Sequence, residues 1–201
     1  MKHSGHQEIH GENIAQFEFS QAGWNPFKHY VDEDQVDLIL RRRNLPHQPE
    51  YREVQVKWCR TWEGPKWVRE LFNCVSWRHF TTEDFINHRP QLFVAFVIPN
   101  AQQIYIGDIF IFTSCHFHEL VLRAPYFTQG TNRKCFQLAH SRDGRWFLLL
   151  QRNKFAHLND QTVLEITSAR RNFRLLDKPL TMLLPGNLRV KHAEEHVEAS
   201  V

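Results

Sequence analysis

Residues 7–22 place Ile9, Glu12, Ala15, Phe19 and Ala22 at three- and four-residue steps, with Gly23 directly after them. That spacing predicts an amphipathic helix stopped by a glycine. Residues 24–30 are short and interrupted by Pro26, which suits an extended segment, and Asp32, Glu33 and Asp34 form an acidic turn. Residues 35–42 follow as a strand around the run Val36, Asp37, Leu38, Ile39, Leu40. A polar loop with two prolines spans 41–49. Residues 51–59 then alternate, with Val54 and Val56 on one face and Glu53, Gln55 and Lys57 on the other. The prediction is a strand pair with one polar face.

Further along, Thr81 or Thr82 can cap a short helix through His88, and Pro90 separates it from the apolar strand 91–98. Residues 104–112 read as another strand. Thr113 and Ser114 are good caps for a helix over 115–123 that Pro125 limits. Residues 135–140 and 145–151 make a hairpin around Asp143-Gly144. Residues 163–176 are expected to be helical in part, and the charged stretch 187–201 is expected to be a flexible tail. No internal repeat is visible. Residues 60–80 receive no element.

Composition bounds this picture without choosing a partner. With 201 residues, 42% hydrophobic, 23% charged and 13% aromatic, the chain is a folded globular protein of one domain or one domain with an appendage. A net charge of +3 is too mild to mark a nucleic-acid binder by itself. No apolar export segment is evident near the beginning, and the apolar runs at 92–99 and 146–150 are far shorter than the ~20 residues of a membrane span. The four cysteines, at 59, 74, 115 and 135, have no C-x-x-C spacing, so free thiols and a cytoplasmic location are expected. The 13 histidines suggest metal only where spacing supports it. Cys115, His116, His118 and Glu119 are the best such group, and a surface helix start explains them more simply.

The chemistry concentrates in the first two strands and the first helix. A carboxylate on an apolar stripe is costly unless it is paired or binds a cation, which applies to Glu12 and equally to Asp37 between Val36 and Leu38. Gln55 and Lys57 occupy alternate positions of the next strand. Two acids, an amide oxygen and an ammonium converging on one face could hold a hard divalent cation beside a phosphate.

In their order, Glu12 on a helix, Asp37 at a strand and Gln55-Val56-Lys57 on the next strand, these residues resemble the PD-(D/E)XK nuclease superfamily. The Val54-Gln55-Val56-Lys57 strand is most similar to a bacterial domain-of-unknown-function group with a VQVK motif. The resemblance covers roughly half the chain. It implies an α/β (α+β) fold with a restriction-endonuclease-like core over 1–100, a mixed sheet flanked by helices, and an α/β extension over 101–186 packed on it. It also implies hydrolysis of DNA phosphodiester bonds with Mg²⁺ or Mn²⁺, in a restriction, defence or repair context. Asp37, Gln55 and Glu12 would be metal ligands; with Lys57, which would orient water or offset developing charge, they form the catalytic set. Arg41, Arg42 and Arg43 would contact DNA phosphates, and a homodimer or a defence-system protein is the partner to expect.

Gln55 departs from the Asp or Glu of most members. An amide oxygen ligates Mg²⁺ without adding negative charge, so metal affinity is expected to fall, with Glu53 on the same face as a possible compensation. The alternative is therefore a catalytically silent nuclease-fold domain that binds nucleic acid or a protein. Singly, Glu12 also suits a salt-bridged helix edge, Asp37 a strand-end acid paired with an arginine, and Gln55 and Lys57 a solvated strand face. Trp58, Trp62, Trp67 and Trp77 could stack on unpaired bases or fill the core.

Overall fold

The computed structural model describes residues 4–29, 35–42, 48–84, 89, 91–128, 130–151, 159, 161–179 and 182–183. The first helix, α1 (Ser4–Gln21), occupies the predicted place, but its buried face differs from the predicted stripe. Ile9 is exposed, while Gly11, Ala15, Glu18 and Phe19 are buried. Gly11 allows this tilt, since a Cβ there would sit 3.2 Å from the Cβ of Trp58. Next come β1 (Asn25–Lys28), β2 (Leu38–Arg42) and β3 (Glu50–Trp58), near the predicted extended segments. Residues 60–80, which received no element from the sequence, contribute β4 (Arg60–Trp62), α2 (Lys66–Leu71) and all but the last residue of the long β5 (Phe72–Thr81).

Chain order continues with β6 (Leu92–Pro99), β7 (Tyr105–Thr113), α3 (Ser114–Arg123), β8 (Arg133–Ser141), β9 (Trp146–Leu149) and β10 (Val163–Glu165). Thr113 caps α3 by accepting from the His116 backbone N–H at 3.2 Å. The stretch read as partly helical is β10 followed by 3₁₀ turns at Thr167–Ala169 and Phe173–Asp177. Of the expected helix over 81–88, residues 81–84 are the end of β5 and a turn, and the remainder lies outside the described residues. The expected tail over 187–201 lies outside them as well.

The fold is mixed α+β, built on two five-stranded sheets. The first runs β1-β2-β3-β6-β7 and is mixed, because β3 and β6 are parallel while the other neighbours are antiparallel. The second runs β10-β9-β8-β5-β4, antiparallel throughout. Pairing crosses residue 100 twice, at β5 with β8 and at β6 with β7.

Strand β6 shows how the layers form. All eight of its residues are buried. Phe93, Ala95 and Val97 join Ala15 and Phe19 of α1 in one core, and Val94, Phe96 and Ile98 join Phe80, Phe136 and Trp146 of the second sheet in another. A central strand covered on both faces reads as a continuous apolar run, as the sequence does at 92–98. A smaller core lies between α2 and the outer face of the second sheet, around Val68, Phe72 and Phe147.

Buried acids in this scaffold are paired. The Glu18 side chain is 6% exposed; Arg171 lies 2.6 Å from its Oε2, and the Tyr105 hydroxyl donates to Oε1. Burial and this bond hold the Tyr105 phenol above its ordinary range. Removing one partner of a buried pair leaves an uncompensated charge, although here Arg171 is partly solvated and Tyr105 remains. Arg171→Ala is expected to lower stability by about 2 kcal/mol, read as a shift of the urea midpoint at unchanged slope. A change below about 0.5 kcal/mol would show that the pair behaves as a solvated surface contact.

Candidate active site

The backbone creates the site by ending one strand pairing early. On one side, β3 pairs with β6 from Glu53 to Trp58; on the other, its register with β2 stops at the Leu38–Val54 pair. Beyond that pair the Asp37 side chain takes the place of a strand, its Oδ2 accepting from the Val56 N–H at 2.6 Å. The Asp37 N–H donates to the Val54 carbonyl at 3.0 Å, and its own carbonyl accepts from the His29 N–H at 3.0 Å. Asp37 is thus clamped at the point where the sheet opens. Gln35, two residues earlier, holds a left-handed φ of 58° on the rim.

The opening is a cleft of about 360 Å³ lined by polar groups from both sheets and α1, among them Glu8, Glu12, Asp37, Gln55, Lys57, Arg78 and Asp84. Residues far apart in the chain meet here. Val54, Val56 and Trp58 face the core under α1, so strand alternation turns Gln55 and Lys57 to the opposite side, facing the second sheet. Glu12 arrives from α1 and pairs with Lys28 of β1 at 3.3 Å. Arg78 reaches in from β5, donating to the Trp58 carbonyl at 3.0 Å and to Glu8 at 3.2 Å.

Gln55 and Lys57 do not lie on a solvated strand face. Gln55 is 5% exposed, and its Oε1 is buried with no hydrogen-bond partner among the described residues. An unsatisfied buried acceptor is costly and calls for a ligand that supplies positive charge or a donor. Lys57 is partly buried; burial first, and Arg78 second, pull its ammonium below its ordinary pKa, against the pull of Asp37, Glu8 and Asp84.

That shift has a measurable sign. A base with a depressed folded pKa leaves the unfolded chain holding more protons between that value and the ordinary 10.5, so stability rises with pH across this window. Lys57→Met is expected to lose this rise while folding as well as the parent near neutrality. Paired denaturation curves from pH 7 to 10.5 check it; parallel pH dependences would contradict the placement of Lys57.

The oxygens suit a hard cation. Gln55 Oε1 is unsatisfied, and Asp37 and Glu12 add carboxylates to the lining, an all-oxygen set of the kind that holds Mg²⁺ with water completing the shell. Among the described residues no three His, Cys, Asp or Glu side chains gather as a metal-ligating group, so a cation here would draw on the Gln55 amide as well as on carboxylates. Glu53 does not compensate for Gln55, because it pairs with Arg89 at 3.4 Å and is absent from the cleft lining.

Arg41 and Arg42 lie elsewhere. At about 3.3 Å per residue, Arg42 is roughly 16 Å along β2 from Asp37. It bonds Asp177 at 2.5 Å and Glu50 at 3.0 Å and stacks 4.4 Å from the Trp24 ring. Neither Arg41 nor Arg42 lines the cleft, and Arg43 is outside the described residues. The arginine that does line it, Arg78, lies in the segment that received no element from the sequence.

Two other groups carry no comparable chemistry. His118 is buried with Nδ1 3.0 Å from the Asp84 carbonyl, and Cys115 is buried beside it in sequence. Cys74 faces His140 in the β5–β8 register near Asp108, but burial and Asp108 push its thiol up to about 11 and burial lowers His140. That environment keeps the thiol protonated.

No helix among the described residues is long and apolar enough to cross a membrane. No family model matches the chain, and no curated protein matches it. Among solved structures it is similar to a bacterial homing endonuclease, at 14% identity and a TM-score of 0.45, over 87% of this chain and 94% of that one.

Proposed function

We propose that the cleft hydrolyses DNA phosphodiester bonds with the help of Mg²⁺ or Mn²⁺, in the manner of the PD-(D/E)XK nucleases that the sequence resembles. The observation that carries this reading is that Glu12, Asp37, Gln55 and Lys57 line one cleft, with Gln55 Oε1 buried and unsatisfied. Asp37 and Gln55 would hold the cation, with Glu12 beside them. A bound divalent ion supplies Lewis-acid polarisation of the phosphate and a more acidic water.

The chain's own groups then have distinct tasks. Clamping by the Val56 N–H fixes the Asp37 carboxylate on the sheet, so little reorganisation is needed when charge develops. Lys57, two residues beyond Gln55 on the same face, would orient the attacking water or offset charge on the phosphate. Arg78 is a second cation for that charge, partly offset by Glu8. The uncharged Gln55 favours one competing reading, a nuclease-like domain that binds nucleic acid without cutting it.

Conversion of supercoiled plasmid in Mg²⁺, Mn²⁺ or EDTA separates the two. Metal-dependent nicking that falls at least ~100-fold in Lys57→Ala supports hydrolysis at this cleft. Equal nicking by parent and variant would sink the assignment, and binding without nicking would support the silent domain.

A further inference from the structure

A second groove of about 330 Å³ joins the first, sharing Glu8, Arg78 and His79 with it and adding Gln7, Trp58, Arg60, Trp77 and Arg133. We infer that this groove holds an unpaired nucleic-acid strand leading into the cleft, with Trp77 and His79 as its stacking surface and Arg60 and Arg133 on its phosphates. The inference deepens the nucleic-acid reading above by naming the substrate form as single-stranded or frayed.

The outer face of the second sheet builds this surface. Trp77 and His79 are alternate residues of β5, half-buried on the side away from the inter-sheet core, with their rings 5.0 Å apart; Phe127 follows 4.1 Å from His79. A guanidinium stands at each end, Arg60 5.7 Å from the Trp77 ring and Arg133 5.8 Å from the Phe127 ring, with Arg133 Nη2 3.4 Å from His79 Nδ1. Neither Arg60 nor Arg133 pairs with a carboxylate among the described residues, and the one acid in the lining, Glu8, is held by Arg78 at 3.2 Å. The indole Nε1 of Trp58, another lining residue, is buried with no hydrogen-bond partner among the described residues.

Aromatic rings flanked by cations that pair with no carboxylate among the described residues match the two faces of a single strand, flat bases and an anionic backbone. A duplex hides its base faces in the stack, so it could use the arginines but not the rings. The other tryptophans have different fates: Trp62 packs against the small core under α2, and the Trp67 side chain is outside the described residues. Among the described residues, Trp77 lines the groove with its ring half-buried.

The test is fluorescence anisotropy of the full chain in EDTA with labelled dT12, rU12 and a 12-base-pair duplex. The parent is expected to bind at least one single strand more tightly than the duplex, and the dT12 and rU12 arms show which sugar it accepts. Trp77→Ala should weaken single-strand binding ~10-fold with Trp77→Phe restoring most of it, while duplex binding moves less than about twofold. Arg60→Gln and Arg133→Gln, at exposed positions, should each lower the salt slope by about 0.7. Preference for duplex, or equal loss for both ligand forms in a folded Trp77→Ala, would overturn the inference. Should Trp77→Ala fail to fold, unchanged salt slopes in both arginine variants would overturn it as well. Because EDTA removes catalysis, failure of the nuclease reading appears separately, as single-strand binding by a protein that never cuts.

Discussion

Asp37→Asn is expected to lower metal-dependent DNA cleavage by ~10³-fold while leaving the folded structure in place. The rate estimate follows from losing the charge proposed to ligate the metal, worth about 4 kcal/mol of transition-state stabilisation. The stability expectation comes from the hydrogen bond Asp37 makes where β2 ends, accepting from the Val56 N–H at 2.6 Å. An amide oxygen can accept the same bond, so thermal unfolding should move by less than about 1 kcal/mol. Asp37→Ala would instead leave that N–H without its acceptor and cost a further 1–3 kcal/mol, approximately. Cleavage time courses and melting curves on the two variants together separate the chemical role of Asp37 from its structural one. A folded Asp37→Asn protein that cuts like the parent would remove Asp37 from the mechanism.

Phe96→Ala is expected to destabilise the protein by about 4 kcal/mol, lowering the melting temperature by roughly 12 °C. Phe96 is fully buried in β6, with its ring 5.3 Å from both Phe117 and Phe136 and 5.9 Å from Phe80. Those partners come from α3, β8 and β5, so this one side chain joins the first sheet to the second and to the helix beside them. The cavity left by truncation would sit between the two sheets that form the walls of the cleft. Phe96→Leu should cost only about 1 kcal/mol, because most of the volume is retained. Calorimetry or urea titration of both variants checks the ratio, and equal, small losses would contradict the packing of the inter-sheet core.

What could be read from the sequence was local. The alternation of 51–59 and the acid at Asp37 rest on neighbouring residues, and Glu12, Asp37, Gln55 and Lys57 line a common cleft. Contacts set by distant partners could not be read this way. Arg42 is held by Asp177, 135 positions away, and Glu18 by Arg171, 153 positions away. Strand β5 escaped notice because each of its faces mixes apolar with polar or ionisable residues: Cys74, Ser76, Arg78 and Phe80 on one, Val75, Trp77 and His79 on the other. Arg78 and His79, from opposite faces, line both the cleft and the groove, so neither face carries a simple apolar stripe. Ile9 misled in the opposite direction, as an apolar residue at helical spacing that remains exposed, while Gly11 makes the close approach to Trp58.

The proposed hydrolysis requires a divalent cation that Asp37 and Gln55 would hold. Crystals grown with Mn²⁺ and measured at its absorption edge test this without relying on turnover. The prediction is an anomalous peak within about 2.5 Å of both the Asp37 carboxylate and Gln55 Oε1. The peak should vanish in Asp37→Asn and strengthen in Gln55→Glu. At saturating Mn²⁺, a cleft without a peak, or a peak that Asp37→Asn leaves untouched, would contradict the account.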